Sequence, residues 1–227
     1  MARIEHLPPP VPDPVRSPPV AVRGEIETRI GALDARVHVP ATPRRAVVIC
    51  HPHPLYGGSM HSPVPLAIAK TLADRASERV AWARFDFRGV GASDGTYDDG
   101  RGEVDDARAV VAHLRKAAPG VPMTLCGHSF GSWIALRAAG PEAIDRVLLV
   151  APSTRFFQFQ DDAFVFAGPK FIFLGDQDEF CDPQEGRELA RRLGADLRIF
   201  DGFDHHFTRS RRAVAEAAVP IVAPEAE

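Results

Sequence analysis

Three kinds of side chain in this sequence could act together on a carbonyl group: a serine set between glycines and, further along, aspartates and histidines in loops. Residues 127–131 read Gly127-His128-Ser129-Phe130-Gly131, the pattern G-x-S-x-G. The apolar run Met123-Thr124-Leu125-Cys126 leads in, and Ser132-Trp133-Ile134-Ala135-Leu136-Arg137 leads out with helical character. A strand that turns sharply into a helix strains the residue at the bend, and only small neighbours two positions away on each side leave room for it. Such a turn lifts the Ser129 hydroxyl above the sheet end. It also sets the Phe130 amide at a helix N-terminus, where unpaired N–H groups attract developing negative charge. A serine hydroxyl attacks poorly at neutral pH unless a base takes its proton, so a histidine and usually a carboxylate must follow downstream. Both occur: Gly175-Asp176-Gln177-Asp178 follows the apolar run Phe171–Leu174, and Gly202-Phe203-Asp204-His205-His206 follows Leu197–Phe200. Each loop sits just past the carboxyl end of an expected strand, the edge where open α/β sheets hold their ligands.

The elements that must position these groups are legible as alternation. From about residue 22, short β-branched runs alternate with longer amphipathic stretches, the signature of a mostly parallel sheet flanked by helices. Strands are expected at 24–30, 33–39, 46–50, 80–86, 123–126, 146–150, 170–174 and 196–200, eight in all. The first two are joined only by Gly31-Ala32, too short for a crossover, so they should pair antiparallel at one edge. Helices are expected at 62–77, opened by Ser62-Pro63, and at 132–139, 183–193 and 208–218. Val104, Ala107, Val111 and Leu114 recur at helical spacing, which predicts a helix over 102–117 with Asp105, Asp106, Arg108 and Arg115 facing water.

Bulk composition narrows the function further. The 227 residues are 45% hydrophobic and 25% charged with net charge −3, as in one soluble globular domain over 21–227, with no basic stripe for nucleic acid and no apolar run long enough for a membrane span. Seven of the 21 prolines fall in residues 1–20, which therefore lack a periodic apolar face and read as a flexible tail. No signal-peptide core precedes those prolines, so the cytoplasm is the expected compartment. Cys50, Cys126 and Cys181 read as reduced core residues.

On these residues the chain resembles the α/β-hydrolase superfamily, serine branch, over nearly everything beyond the tail. It looks most like small members grouped with dienelactone-hydrolase-like proteins, which carry His-Pro-His-Pro-Leu-Tyr-Gly-Gly after the third strand, here His51 to Gly58. The superfamily loop Asp-x-Arg-Gly-x-Gly-x-Ser is present as Asp86, Arg88, Gly89, Gly91 and Ser93. The resemblance implies an eight-stranded α/β-hydrolase fold and a nucleophile elbow at Ser129. Its Gly-x-x-Asp and Gly-x-Asp-His motifs select Asp178 over Asp176 and His205 over His206, completing a catalytic triad. Matching the superfamily's oxyanion loop puts the second donating amide, beside that of Phe130, at Leu55. Pro52 and Pro54 have no N–H to offer, and His53 is the alternative. True dienelactone hydrolases use cysteine as nucleophile, so serine at 129 does not carry that activity over.

The expectation is a serine hydrolase that cleaves a carboxylic ester or thioester of a small acyl substrate through an acyl-enzyme, with no cofactor and no metal. The alternatives are a peptidase or carbon–carbon hydrolase on the same triad, or a binding protein that has lost turnover. The His-x-His pair at 51 and 53 lacks a completing carboxylate or cysteine at ligand spacing, and Asp86 and Arg88 are expected to brace loops. Residues 152–169 are too few for a separate cap domain, so the site should be open. They hold five of the 14 phenylalanines, among which Phe156, Phe157 and Phe159, with Tyr56, are expected to line a substrate wall. Core packing is the competing role, and association into a homodimer the other outlet for such a cluster.

Overall fold

The computed structural model describes residues 22–139, 144–159 and 166–224. The proline-rich stretch 1–20 and Phe164 lie outside them. Among the described residues the strands are β1 (Val22–Thr28), β2 (Gly31–His38), β3 (Arg45–Cys50), β4 (Val80–Phe85), β5 (Met123–His128), β6 (Arg146–Val150), β7 (Lys170–Gly175) and β8 (Asp196–Phe200). They form one eight-stranded sheet in the order β1-β2-β4-β3-β5-β6-β7-β8. Strand β2 runs antiparallel to both of its neighbours, β1 and β4, and every later pairing is parallel. The hairpin turns at Arg29-Ile30, two residues earlier than expected, and Gly31 opens β2. Thr28 fixes this register, because its hydroxyl donates to the Gly31 carbonyl at 2.8 Å and accepts the Ile30 amide at 3.2 Å.

The helices are α1 (Pro63–Ala76), α2 (Arg101–Ala117), α3 (Phe130–Ala138), α4 (Pro183–Leu193) and α5 (Arg211–Val222). Period-two alternation in the parallel strands feeds two cores. Ala46, Val48, Cys50, Leu125, Val147 and Leu149 pack under α2, α3 and α4, whereas Val47, Ile49, Cys126, Leu148 and Val150 pack under α1 and α5. The three cysteine thiols are free and buried. No helix among the described residues is long and apolar enough to cross a membrane, and none lies between β6 and β7.

Two expectations are corrected. The helix expected from Thr208 begins at Arg211, since Thr208 is tied back to Asp204 and the Ser210 hydroxyl accepts the Ala213 amide as the cap. Asp106 does not face water. Its side chain is fully buried and accepts the Arg88 guanidinium at 2.7 and 3.0 Å and the Arg88 amide at 3.0 Å, which anchors the loop after β4 onto α2. The same loop is fastened by Ser93, which donates to the Asp86 carbonyl, and by Asp86, whose carboxylate accepts the Met60 amide.

Candidate active site

The turn from β5 into α3 holds Ser129 at φ 57°, ψ −122°, a strained backbone for any residue with a Cβ. Three surroundings enforce it. The Ser129 amide donates to the Val150 carbonyl of the neighbouring strand at 2.9 Å, and the Ser132 hydroxyl donates to the Ser129 carbonyl at 2.6 Å. Gly127 and Gly131 press against backbone: a Cβ on Gly131 would stand 2.5 Å from the carbonyl oxygens of Cys50 and His51, and one on Gly127 would strike the Gly131 carbonyl. Phe130 is the first residue of α3, so its amide has no carbonyl four residues back within the helix.

Asp178 and His205, expected from the loops after β7 and β8, are brought together. The His205 Nδ1 lies 2.9 and 3.0 Å from the two Asp178 carboxylate oxygens, and both side chains are buried. A carboxylate only accepts, so Nδ1 carries a proton, and Nε2 makes no hydrogen bond to a described residue. Asp178 is itself fixed by the amides of Phe180 at 2.8 Å and Cys181 at 3.1 Å. The neighbouring candidates are engaged elsewhere: Asp176 accepts the amides of Gly202 and Phe203, bracing the β8 loop.

His205 is oriented by two further residues, Phe180 and His128. Phe180 packs edge-on against its ring, with centroids 4.7 Å apart. His128, immediately before Ser129, donates from Nε2 to the His205 carbonyl at 3.0 Å, which links the serine turn directly to the histidine loop. Burial pushes the His128 imidazole down to about 3, so it is neutral at ordinary pH, and its buried Nδ1 has no partner among the described residues. The Ser129 Oγ makes its hydrogen bond to the Ser153 hydroxyl at 3.0 Å rather than to His205. In unliganded sites the serine–histidine contact is commonly long and tightens when substrate arrives. Ser153 was missed, although it stands just past the carboxyl end of β6 and the strand-end rule applied to the other residues covers it.

The loop after β3 curls into a short 3-10 turn over Pro54–Tyr56, with the amides of Tyr56 and Gly58 both donating to the His53 carbonyl. This geometry corrects the expectation for Leu55: its amide is occupied, donating to His53 Nδ1 at 3.2 Å. The His53 amide makes no hydrogen bond to a described residue, and the His53 ring rests 4.8 Å from that of Phe130. Because Nδ1 accepts, the His53 Nε2 donates to Tyr97 Oη at 3.1 Å. His51 is spent similarly, donating to the Pro52 carbonyl and accepting the Phe87 amide, and burial holds it down to about 3.

The expected aromatic wall is partly rearranged. Phe156 is 66% exposed and packs on Phe180, beside His205. Phe157 stacks on Trp133 and meets Phe130 edge-on. Tyr56 is exposed and leans its edge on His53. Phe159 is corrected: it is 2% exposed and belongs to the core beneath α4, where its carbonyl accepts Arg192. The chain turns inward at this point.

A parallel sheet with a strained serine between its fifth strand and third helix, and an Asp–His pair beyond its last two strands, defines an α/β-hydrolase. Comparison with known proteins agrees. A family model described as "Serine aminopeptidase, S33" matches residues 41–157, just over half of the chain, and the chain belongs to that family. Among solved structures it is similar to XC6422 from Xanthomonas campestris, described as an a/b serine hydrolase without lid, with 30% identity, a TM-score of 0.80, and coverage of 93% of this chain and 99% of that one. An alpha-beta serine hydrolase homologue from Coxiella burnetii has 30% identity and a TM-score of 0.80 over 89% of this chain and 97% of its own. The uncharacterized protein RP471 of Rickettsia prowazekii (strain Madrid E) is 33% identical over 190 residues, 78% of each chain.

Proposed function

We propose that the protein hydrolyses a carboxylic ester or thioester through an acyl-enzyme. Ser129 attacks the carbonyl while His205 Nε2 takes its proton, and the imidazolium then returns that proton to the departing alcohol or thiol. Water, deprotonated by the same nitrogen, releases the acid and restores Ser129. Asp178 holds the imidazole in the required tautomer and stabilises its charged form. The amides of Phe130 and His53 receive the oxyanion, the second replacing Leu55, whose N–H is already engaged. The observation that carries this reading is the buried Asp178–His205 pair, tied through His128 to a serine at φ 57°.

Apolar side chains around the mouth, Phe156 and Tyr56 among them, favour an acyl group with hydrocarbon or aromatic character over a charged one. The test is Ser129→Ala assayed with short p-nitrophenyl esters and acyl thioesters. Loss of turnover in a folded variant is expected, and undiminished turnover would refute the assignment. The family model's description favours amide cleavage as a second reading. It predicts turnover of aminoacyl p-nitroanilides at least comparable to that of the esters.

A further inference from the structure

Among the described residues, the Ser153 hydroxyl has one hydrogen-bond partner, the oxygen of Ser129. The residue is 1% exposed, and its Oγ lies 3.0 Å from Ser129 Oγ. The loop that carries it is held on several sides. Its own carbonyl accepts the amides of Phe156 and Phe157, the Arg155 amide donates to the Phe180 carbonyl, and the Thr154 hydroxyl donates to Glu185. The contact with Ser129 therefore belongs to an ordered turn.

The direction of this bond follows from counting protons. Two hydroxyls share one contact, so one hydrogen must find another acceptor. If Ser129 donated to Ser153, the Ser153 hydrogen would be left buried with no acceptor, which is costly. If Ser153 donates, the hydrogen left over is that of Ser129, which is partly exposed and free to turn to solvent or, when substrate arrives, to His205. The second arrangement strands no buried hydroxyl hydrogen.

We infer that Ser153 is a further catalytic residue, a hydrogen-bond donor to the reacting oxygen of Ser129. The inference rests on Ser129 being the nucleophile. During attack, Oγ forms its bond to the carbonyl carbon as its proton passes to His205, and its negative charge peaks between the two events. When the acyl group is released the same atoms run in reverse: the bond to carbon breaks, the electron pair returns to Oγ, and His205 hands the proton back. A donor aimed at Oγ is strongest where that charge is greatest, so it lowers both barriers without binding substrate. Ser153 itself gains and loses no atom.

The experiment compares Ser153→Ala and Ser153→Cys with the parent and with Ser129→Ala, reading steady-state ester turnover, the rate of labelling by a fluorophosphonate probe, and thermal melting. Ser153→Ala is expected to lower kcat and kcat/KM together by about 10- to 100-fold, the worth of one hydrogen bond to a charged oxygen, with KM and melting temperature kept. Labelling should slow by a similar factor, because it forms a bond at the same Oγ. The thiol of Ser153→Cys, a weaker donor of similar size, should fall between, and it answers the question alone if the alanine variant does not fold. Turnover of folded Ser153→Ala within twofold of the parent overturns the inference, as does parent-level turnover of folded Ser153→Cys where the alanine variant does not fold. So does a fall confined to KM, or one that tracks lost folded protein. If Ser129→Ala retains turnover, the nucleophile assignment fails instead; an inert Ser129→Ala beside a fully active Ser153→Ala removes only the role given to Ser153.

Discussion

Ser129 pays about 1–3 kcal/mol for its backbone conformation, and glycine at the same position would not. Ser129→Gly is therefore expected to resist urea better than Ser129→Ala by about 1 kcal/mol, with both inactive; equal denaturation midpoints would mean that the turn holds no strain. Asp178→Asn retains the shape of the pair but offers the imidazole an amide N–H in place of an acceptor, so Nδ1 loses its proton and Nε2 its lone pair. A loss on the order of 10⁴-fold in kcat with an unchanged far-ultraviolet spectrum is expected. At this scale the sequence was informative about type and less so about engagement. Ser129 and the loops that hold Asp178 and His205 were legible because each follows the carboxyl end of a strand, while the choice of Asp178 over Asp176 and of His205 over His206 came from the superfamily motifs. Whether the Leu55 amide was available depended on how tightly the Pro54–Tyr56 turn curls toward His53, which no pattern of letters encodes. Phe159 was misplaced for a related reason: neighbouring phenylalanines in one loop can face opposite ways.

Among the elements, the β5–α3 turn and the contact between α2 and the loop after β4 are the places where one substitution should reach furthest. Gly131→Ala sets a methyl 2.5 Å from two backbone carbonyls that cannot step aside, so the variant should lose about 1–3 kcal/mol in urea denaturation along with its activity. The Arg88–Asp106 pair is nearly dry, and removing one partner leaves a buried charge without its complement. Asp106→Ala is expected to cost about 3–5 kcal/mol, while the double variant Arg88→Met, Asp106→Leu should recover much of that loss, as chemical denaturation of the three proteins would show. The apolar periodicity of α2 located the helix but misjudged Asp106, because a polar residue at the edge of a stripe faces water only if no loop covers it. Helix ends were legible where proline and a cap coincide, as at Asp182-Pro183, and slipped where two residues competed to cap, as before α5.

Taken whole, the molecule should be sensitive to acid through its buried imidazoles. His51 and His128 are lowered from 6.5 to about 3 by burial, so between those values the unfolded chain binds protons that the folded chain refuses. Stability is thus full above about pH 6.5 and falls toward pH 3, each histidine contributing up to about 1.4 kcal/mol per pH unit. Asp86 and Glu103, whose carboxyls burial raises, take up protons in the folded state and pull the other way. The urea midpoint should drop from pH 7 to pH 5, and His51→Gln should lessen the drop; a midpoint that rises on acidification would contradict this. Fold class was legible throughout the later strands, because buried parallel strands leave continuous apolar runs, whereas strand order was not, because it depends on how crossovers pack.

That order has a final consequence. Ser129, Ser153, Asp178 and His205 crown β5, β6, β7 and β8, four adjacent strands, and amides from one loop reach carbonyls of the next: Ser129 to Val150, Ala151 to Phe173, Asp176 to Phe200. The distances between the chemical groups are thus graduations on a ruler whose spacing is the pitch of the sheet. Evolution can recut the rim to suit a new molecule, as the protruding Tyr56 and Phe156 invite, while the gauge beneath keeps its scale.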